Sequence, residues 1–242
     1  MPKKEKHIWD NRDAYDNYIS QIKFFWSYLF FQEKVRMLSI KSDKKEAPMK
    51  TLLFVDCCIR REASRTRLLA EAFLRNLPEG WQVETVTLMD EPLLPLMEGG
   101  FRQRDELLQR GDFTHRRFDY AWQFQKADAI LIAAPFYDLS IPALLKVYIE
   151  NVSVDGITFL CDAQGLRGNC RARSMTFLTS RGGFYDDSPD EMGSRYMEAL
   201  CRFFGTGVYR CIAADGVDMD PAETPGILAK ACQKAAQAAK EL

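Results

Sequence analysis

The chain has 242 residues, 47% of them hydrophobic and 28% charged, with a formal net charge of -1. That is enough for one sizeable core, and so even a balance excludes a protein built for electrostatic capture of nucleic acid. Two histidines, and seven cysteines without CxxC or other metal-ligand spacing, exclude a histidine zinc site and a disulfide framework; the thiols read as reduced in a cytoplasmic protein, with no metal.

Charge is uneven along the chain. Residues 1–50 carry 11 Lys/Arg against 7 Asp/Glu, a net of +4, and the remainder carries 22 against 27, a net of -5. The first apolar run, "YISQIKFFWSYLFFQ", is too short to span a bilayer, contains Lys23 and has no small-residue cleavage site. It predicts an aromatic-faced helix packed on the body or on a partner rather than on a membrane surface. "SIKSDKKEAPMK" follows as a charged linker without apolar periodicity, and Met49 within it is a second candidate start. The chain thus divides into an N-terminal helical extension, 1–48, and a folded domain, 49–242.

The domain opens with "TLLFVD", a short β-type run. In "SRTRLLAEAFLRNL", Leu68, Leu69, Ala72, Phe73 and Leu77 share one helical face, with Ser64 placed as N-cap. "WQVETVTL" alternates like a strand. Residues 89–100 are irregular, and 101–126 read as mostly helical. "AILIAAP" is a continuous apolar run, as in a strand covered on both faces. "IPALLKVYIENV" begins a helix with Pro142 in its first turn. No element is assigned over 156–171. A strand in "ARSMTFLTS", a helix over 190–204, a strand in "VYRCIAAD" and an alanine-rich helix over 221–241 complete the chain.

Strands alternating with helices five times over predict an α/β fold, a doubly wound, five-stranded parallel sheet. Ligands of such sheets lie outside the carboxyl ends of the strands, so the informative loops are 56–64, 135–141 and 180–187. The first leads into a helix whose start carries Ser64, Arg65 and Thr66, and unpaired N–H groups there suit a phosphate. It has neither the P-loop pattern nor the dinucleotide fingerprint, and alone it equally reads as an ordinary N-cap. The second, "PFYDLS", offers two aromatics that wall a flat ring or simply pack under the next helix. The third, "TSRGGFYDD", has Gly182 and Gly183, which let a ligand approach the backbone or make a tight turn. Together the three fit a flat cofactor with a phosphate tail.

The stretches "AAPFYDLSIPALLKVYIENV", "GITF" and "TSRGG", with "CCIRREASRT" after the first strand, resemble the flavodoxin-like NAD(P)H:quinone oxidoreductases, most closely the FMN-dependent NADH-azoreductases. The resemblance covers residues 50–240. It implies non-covalent FMN, NADH or NADPH as co-substrate, a quinone or azo acceptor, and a homodimer. Its cofactor-binding positions fall on Cys57, where a serine is usual, and on Ser64, Arg65 and Thr66 for the phosphate. They fall on Pro135, Phe136, Tyr137, Asp138 and Leu139 beside the flavin, and on Ser180, Arg181, Gly182 and Gly183 in the glycine loop. Met at 136, Asn at 138, Phe at 139 and His at 185 are the usual residues where this chain has Phe, Asp, Leu and Tyr. The implied mechanism is ping-pong, with hydride passing through flavin N5 and no catalytic side chain. An acid at 138 either disfavours reduced flavin or caps the helix that follows.

Other readings are weighed against this one. A phosphatase CxxxxxR loop fails, since six residues separate Cys58 from Arg65 and Ala63 stands where Cys57 would need arginine. A non-enzymatic flavodoxin-type electron carrier is expected to be more acidic. A degenerate flavodoxin-fold interaction protein without flavin is the third alternative.

Overall fold

The computed structural model describes residues 49–242, so the predicted extension of residues 1–48 lies outside the described residues. In chain order the elements are β1 (Lys50–Asp56), α1 (Arg65–Leu74), β2 (Trp81–Thr87), α2 (Glu98–Gln109), α3 (Asp119–Lys126), β3 (Ala129–Ala133), α4 (Ala143–Val152), β4 (Phe159–Asp162), β5 (Gly165–Gly168), β6 (Ser174–Ser180), α5 (Gly193–Phe204), β7 (Val208–Ala214) and α6 (Thr224–Lys240).

Five strands make one parallel sheet in the order β2-β1-β3-β6-β7. The direction of strand addition reverses at β1, so the crevice between the ends of β1 and β3 is the switch point where such sheets bind ligands. Period-two alternation sorts the core. Leu52 and Phe54 face α1 and α6, with Leu69, Phe73, Ala231 and Ala235 against them. Leu53 and Val55 face α3, α4 and α5, against Phe124, Tyr148, Ile149 and Phe204. β3 is buried at every position, as its unbroken apolar run predicts, and β2 is a largely exposed edge strand.

Two local expectations change. The helix over 101–126 is broken into α2 and α3. Gly111, at φ 66°, takes the left-handed position after α2, its N–H donating to Leu108 O and that of Asp112 to Leu107 O. This paired closure ends a helix because only glycine enters that conformation cheaply. The unassigned segment 156–171 forms the antiparallel β4–β5 hairpin. Gly168 packs so closely on the end of α5 that a Cβ there would lie 2.1 Å from Gly205 N.

Candidate active site

The β1 loop is organised by a buried acid. Asp56 Oδ1 accepts the Cys58 N–H at 2.8 Å, and its Oδ2 accepts from Arg67 Nη1 at 3.3 Å, clamping the loop to the first turns of α1. Cys57 continues the alternation of Leu53 and Val55 into the interior. Its thiol is fully buried, and its N–H donates to Ala133 O at 2.8 Å. Burial first, and the Asp56 charge second, push the Cys57 thiol up to about 12, and the same two causes raise Cys58. Neither thiol is a nucleophile at neutral pH. At Cys57, expected beside a cofactor, the thiol is buried and the amide is bonded to Ala133 within the fold.

Ser64 stands at the N-cap of α1 in extended conformation, but its side chain makes no cap bond. The N–H groups of Arg65 and Thr66 have no acceptor among the described residues. Thr66 is fully buried, and its Oγ1 lies 2.8 Å from Ser180 Oγ, joining the first loop to the third. Arg65 pairs with Asp218, whose own N–H donates to Gly182 O at 3.0 Å. The N-terminus of α1 is therefore a set of unspent donors bordered by two hydroxyls, with an arginine held at its rim.

The β3 loop leaves the sheet at Pro135 and is tied to β6 by Phe136 N–H donating to Ser180 O at 3.1 Å. Tyr137 and Ser140 exchange both backbone hydrogen bonds, at 3.0 and 2.9 Å. Between them Asp138 and Leu139 have φ of 49° and 65°, the two left-handed residues that a type I′ turn requires. Asp tolerates this conformation and Leu does so at a cost, and both side chains are exposed. The N-cap of α4 is Pro142 and no side chain caps it, so Asp138 is a turn residue and the helix-cap reading is corrected.

The glycine loop runs beside the segment after β7. The carbonyls of Arg181, Gly182 and Gly183 accept from Val217, Asp218 and Gly216, while the N–H groups of Gly182 and Gly183 donate to nothing among the described residues. Arg181, expected at the cofactor, instead points inward. Its side chain is 3% exposed and reaches Asp186 at 2.9 Å, Glu191 at 3.2 Å and Asp215 at 3.4 Å. The guanidinium also lies 5.7 Å from the Phe136 ring, which packs on Tyr185 at 4.7 Å between centroids. Arg181 thus holds the loop from beneath. Asp56, Glu191, Asp215 and Asp218 are the supporting residues that motif reading missed. Asp215 had a signal, since it directly follows the last strand.

The structure therefore gathers Ser64, Arg65, Thr66, Phe136, Ser180, Gly182 and Gly183 at one end of the sheet. It offers a donor-rich socket for an anion, a backbone platform and an aromatic wall. Ile59, Leu139, Phe184 and Met192, all more than 40% exposed, give its surroundings an apolar surface.

A family model described as flavodoxin-like fold matches residues 50–239. The FMN-dependent NADH:quinone oxidoreductase 2 of Clostridium acetobutylicum is 34% identical over 200 residues, covering 80% of this chain and 100% of that protein. An FMN-dependent NADH:quinone oxidoreductase of Clostridium perfringens is 35% identical over 202 residues with the same coverage. Among solved structures, an azoreductase from Bacillus anthracis superposes with a TM-score of 0.72 at 25% identity, covering 80% of this chain and 100% of that one.

Proposed function

The chain belongs to the flavodoxin-like family over residues 50–239, and we propose that it is an FMN-dependent NADH oxidoreductase acting on quinones and azo compounds. One observation carries the reading. Unspent N–H donors at the start of α1 and at Gly182–Gly183 lie at the same end of the sheet, joined through Thr66 and Ser180. The first set suits a phosphate and the second a flat, acceptor-rich ring edge. These residues fit FMN, and the functional names of the relatives agree.

FMN held there would supply the redox chemistry of a two-electron transfer from NADH to the acceptor. The chain's own residues bind and orient. Ser64, Thr66 and the N–H groups of Arg65 and Thr66 hold the phosphate. Gly182 and Gly183 present donors to the ring, and Phe136 with Tyr185 limits water on one side. Cys57 and Cys58, buried and held protonated, stay outside the chemistry.

On the same reading the protein is a homodimer, with a second copy covering the exposed apolar surface at Leu139, Phe184 and Met192. All seven cysteines are free, which supports a reducing, cytoplasmic setting. No helix among the described residues is long and apolar enough to cross a membrane. The family match begins at residue 50, which supports residues 49–242 as the catalytic domain and 1–48 as an appended extension.

The purified protein is expected to be yellow and to oxidise NADH stoichiometrically with an added quinone. A protein that stays colourless in excess FMN sinks the reading in favour of an interaction module. A yellow protein that fails to oxidise NADH points to an electron carrier.

Asp138 gives a further expectation. Exposed in its turn and committed to no cap, it adds negative charge at a position that the family resemblance puts beside the flavin. Asp138→Asn is expected to raise the flavin midpoint potential by about 20 mV, a small shift because solvent and salt screen an exposed charge. Potentiometric titration of both proteins measures it, and an unchanged midpoint removes the electrostatic role.

A further inference from the structure

We propose that Arg104 and Arg117 form a binding site for a phosphate-type oxyanion, outside the strand-end loops. Arg117 belongs to the 3-10 turn Arg116–Phe118, fixed by its own N–H donating to His115 Nδ1 at 3.1 Å. Its side chain lies along α2. Nη1 donates to Gln103 Oε1 at 3.0 Å, and Nη2 is 3.2 Å from where a Cβ on Gly100 would stand. With no Cβ at Gly100, the guanidinium rests close against α2.

Arg104, on the same helix, stacks its guanidinium 4.6 Å from the Phe101 ring centroid. Its Nε is buried and makes no hydrogen bond among the described residues. The carboxylate nearest to it is that of its chain neighbour Asp105, 3.8 Å from Nε and 58% exposed. Arg117 pairs with no carboxylate among the described residues. The other arginines in that position, Arg60, Arg110, Arg116, Arg173 and Arg195, are exposed, whereas Arg117 is partly buried. Burial first, and the charge of Arg104 second, lower the affinity of Arg117 for its proton.

Two partly desolvated guanidiniums on one helix face repel one another, and the carboxylates of α2 offset them weakly, since Asp105 is exposed and 3.8 Å from Arg104 Nε. Glu98 is taken by Arg102. An anion at the two forks offsets the repulsion and accepts from their terminal N–H groups. Planar forks match the oxygens of a phosphate, which is the class the site selects. That phosphate is either a free ion or part of a dinucleotide co-substrate, since both present the same oxygens.

The test is calorimetric titration of the full chain, saturated with FMN, with inorganic phosphate at constant ionic strength set by chloride. FMN saturation keeps the start of α1 occupied by the cofactor's own phosphate. Saturable binding at one site is expected, weakened at least tenfold by Arg117→Gln and by Arg104→Gln. Arg117→Lys, which keeps the charge and loses the fork, is expected to weaken it at least threefold. Flavin absorbance and melting temperature in chloride, unchanged in the variants, separate lost binding from a lost fold. Phosphate that raises KM for NADH supports the site with the co-substrate as its source; phosphate that binds without doing so supports it with the free ion. Heats no different from chloride, or binding undiminished in the Arg104→Gln, Arg117→Gln double variant, overturn the proposal.

Discussion

Replacing Arg181 by Met is expected to destabilise the protein by about 3–5 kcal/mol, the range for stripping the partner from a buried charge. The guanidinium faces three carboxylates, and their exposure decides the size of the effect. Asp186 is 78% exposed and solvent screens it, so it adds little. Glu191 and Asp215, at 7% and 11%, lose the only cation within ion-pair reach among the described residues. Asp215 keeps the N–H groups of Tyr185 and Asp186, and Glu191 keeps Ser194, so both remain fixed in place as unpaired anions. Arg181→Lys is expected to recover part of the loss, because one ammonium cannot reach in three directions. Adding Glu191→Gln to Arg181→Met is expected to recover another part, since it deletes one orphaned charge. Urea unfolding of the four proteins measures this. A loss below about 1 kcal/mol for Arg181→Met sinks the argument, because a buried hub cannot be that cheap to remove. The glycine platform rests on this residue, so flavin affinity is expected to fall with stability, and the same variants test that coupling.

How much of this was legible in the sequence depends on how local each cause is. The run from Ala129 to Ala133 announced a doubly covered strand because burial on both faces writes itself into consecutive residues. The inward turn of Cys57 is legible too, as the next step of the alternation that buries Leu53 and Val55. The face of α1 was misjudged. Leu68 was expected inside and is 42% exposed, while Thr66 and Ala70 complete the buried stripe with Leu69 and Phe73. Hydrophobicity favoured Leu68 over two smaller residues that fit the close approach to the sheet. Gly111 carries the stop that divides the helix expected over 101–126. The β4–β5 hairpin had no strong periodicity, because what seats it is a backbone contact between Gly168 and Gly205, 37 positions apart. Arg181 was visible as a motif residue, yet its inward role depends on Asp186, Glu191 and Asp215. No spacing rule links a strand-end arginine to acids on a loop, just before a helix and just after another strand.

FMN is expected to bind roughly a hundredfold more tightly than riboflavin at pH 7.5, a difference of about 3 kcal/mol. The two ligands differ only in the phosphate, so the ratio isolates the socket at α1. A phosphate there meets the N–H groups of Arg65 and Thr66, which have no other acceptor among the described residues, so little is displaced when it arrives. Hydrogen bonds to a charged group contribute about 1.5–3 kcal/mol each, and the helix dipole adds up to about 1 kcal/mol. Dehydrating a dianion offsets a large part of that sum. The Arg65 side chain is not counted, because Asp218 already neutralises it. Ser64→Ala with Thr66→Ala is expected to weaken FMN by about 1–3 kcal/mol and to leave riboflavin nearly unchanged. Thr66 also bonds Ser180, so a variant that weakens both ligands equally has disturbed the loop and not the phosphate contacts. The preference is expected to narrow below about pH 6, where the phosphate dianion takes up one proton and loses half its charge. Fluorescence titration with both flavins at two pH values provides every number needed. Equal affinities for FMN and riboflavin would place the phosphate away from α1, and the socket would then be only the unsatisfied start of a helix.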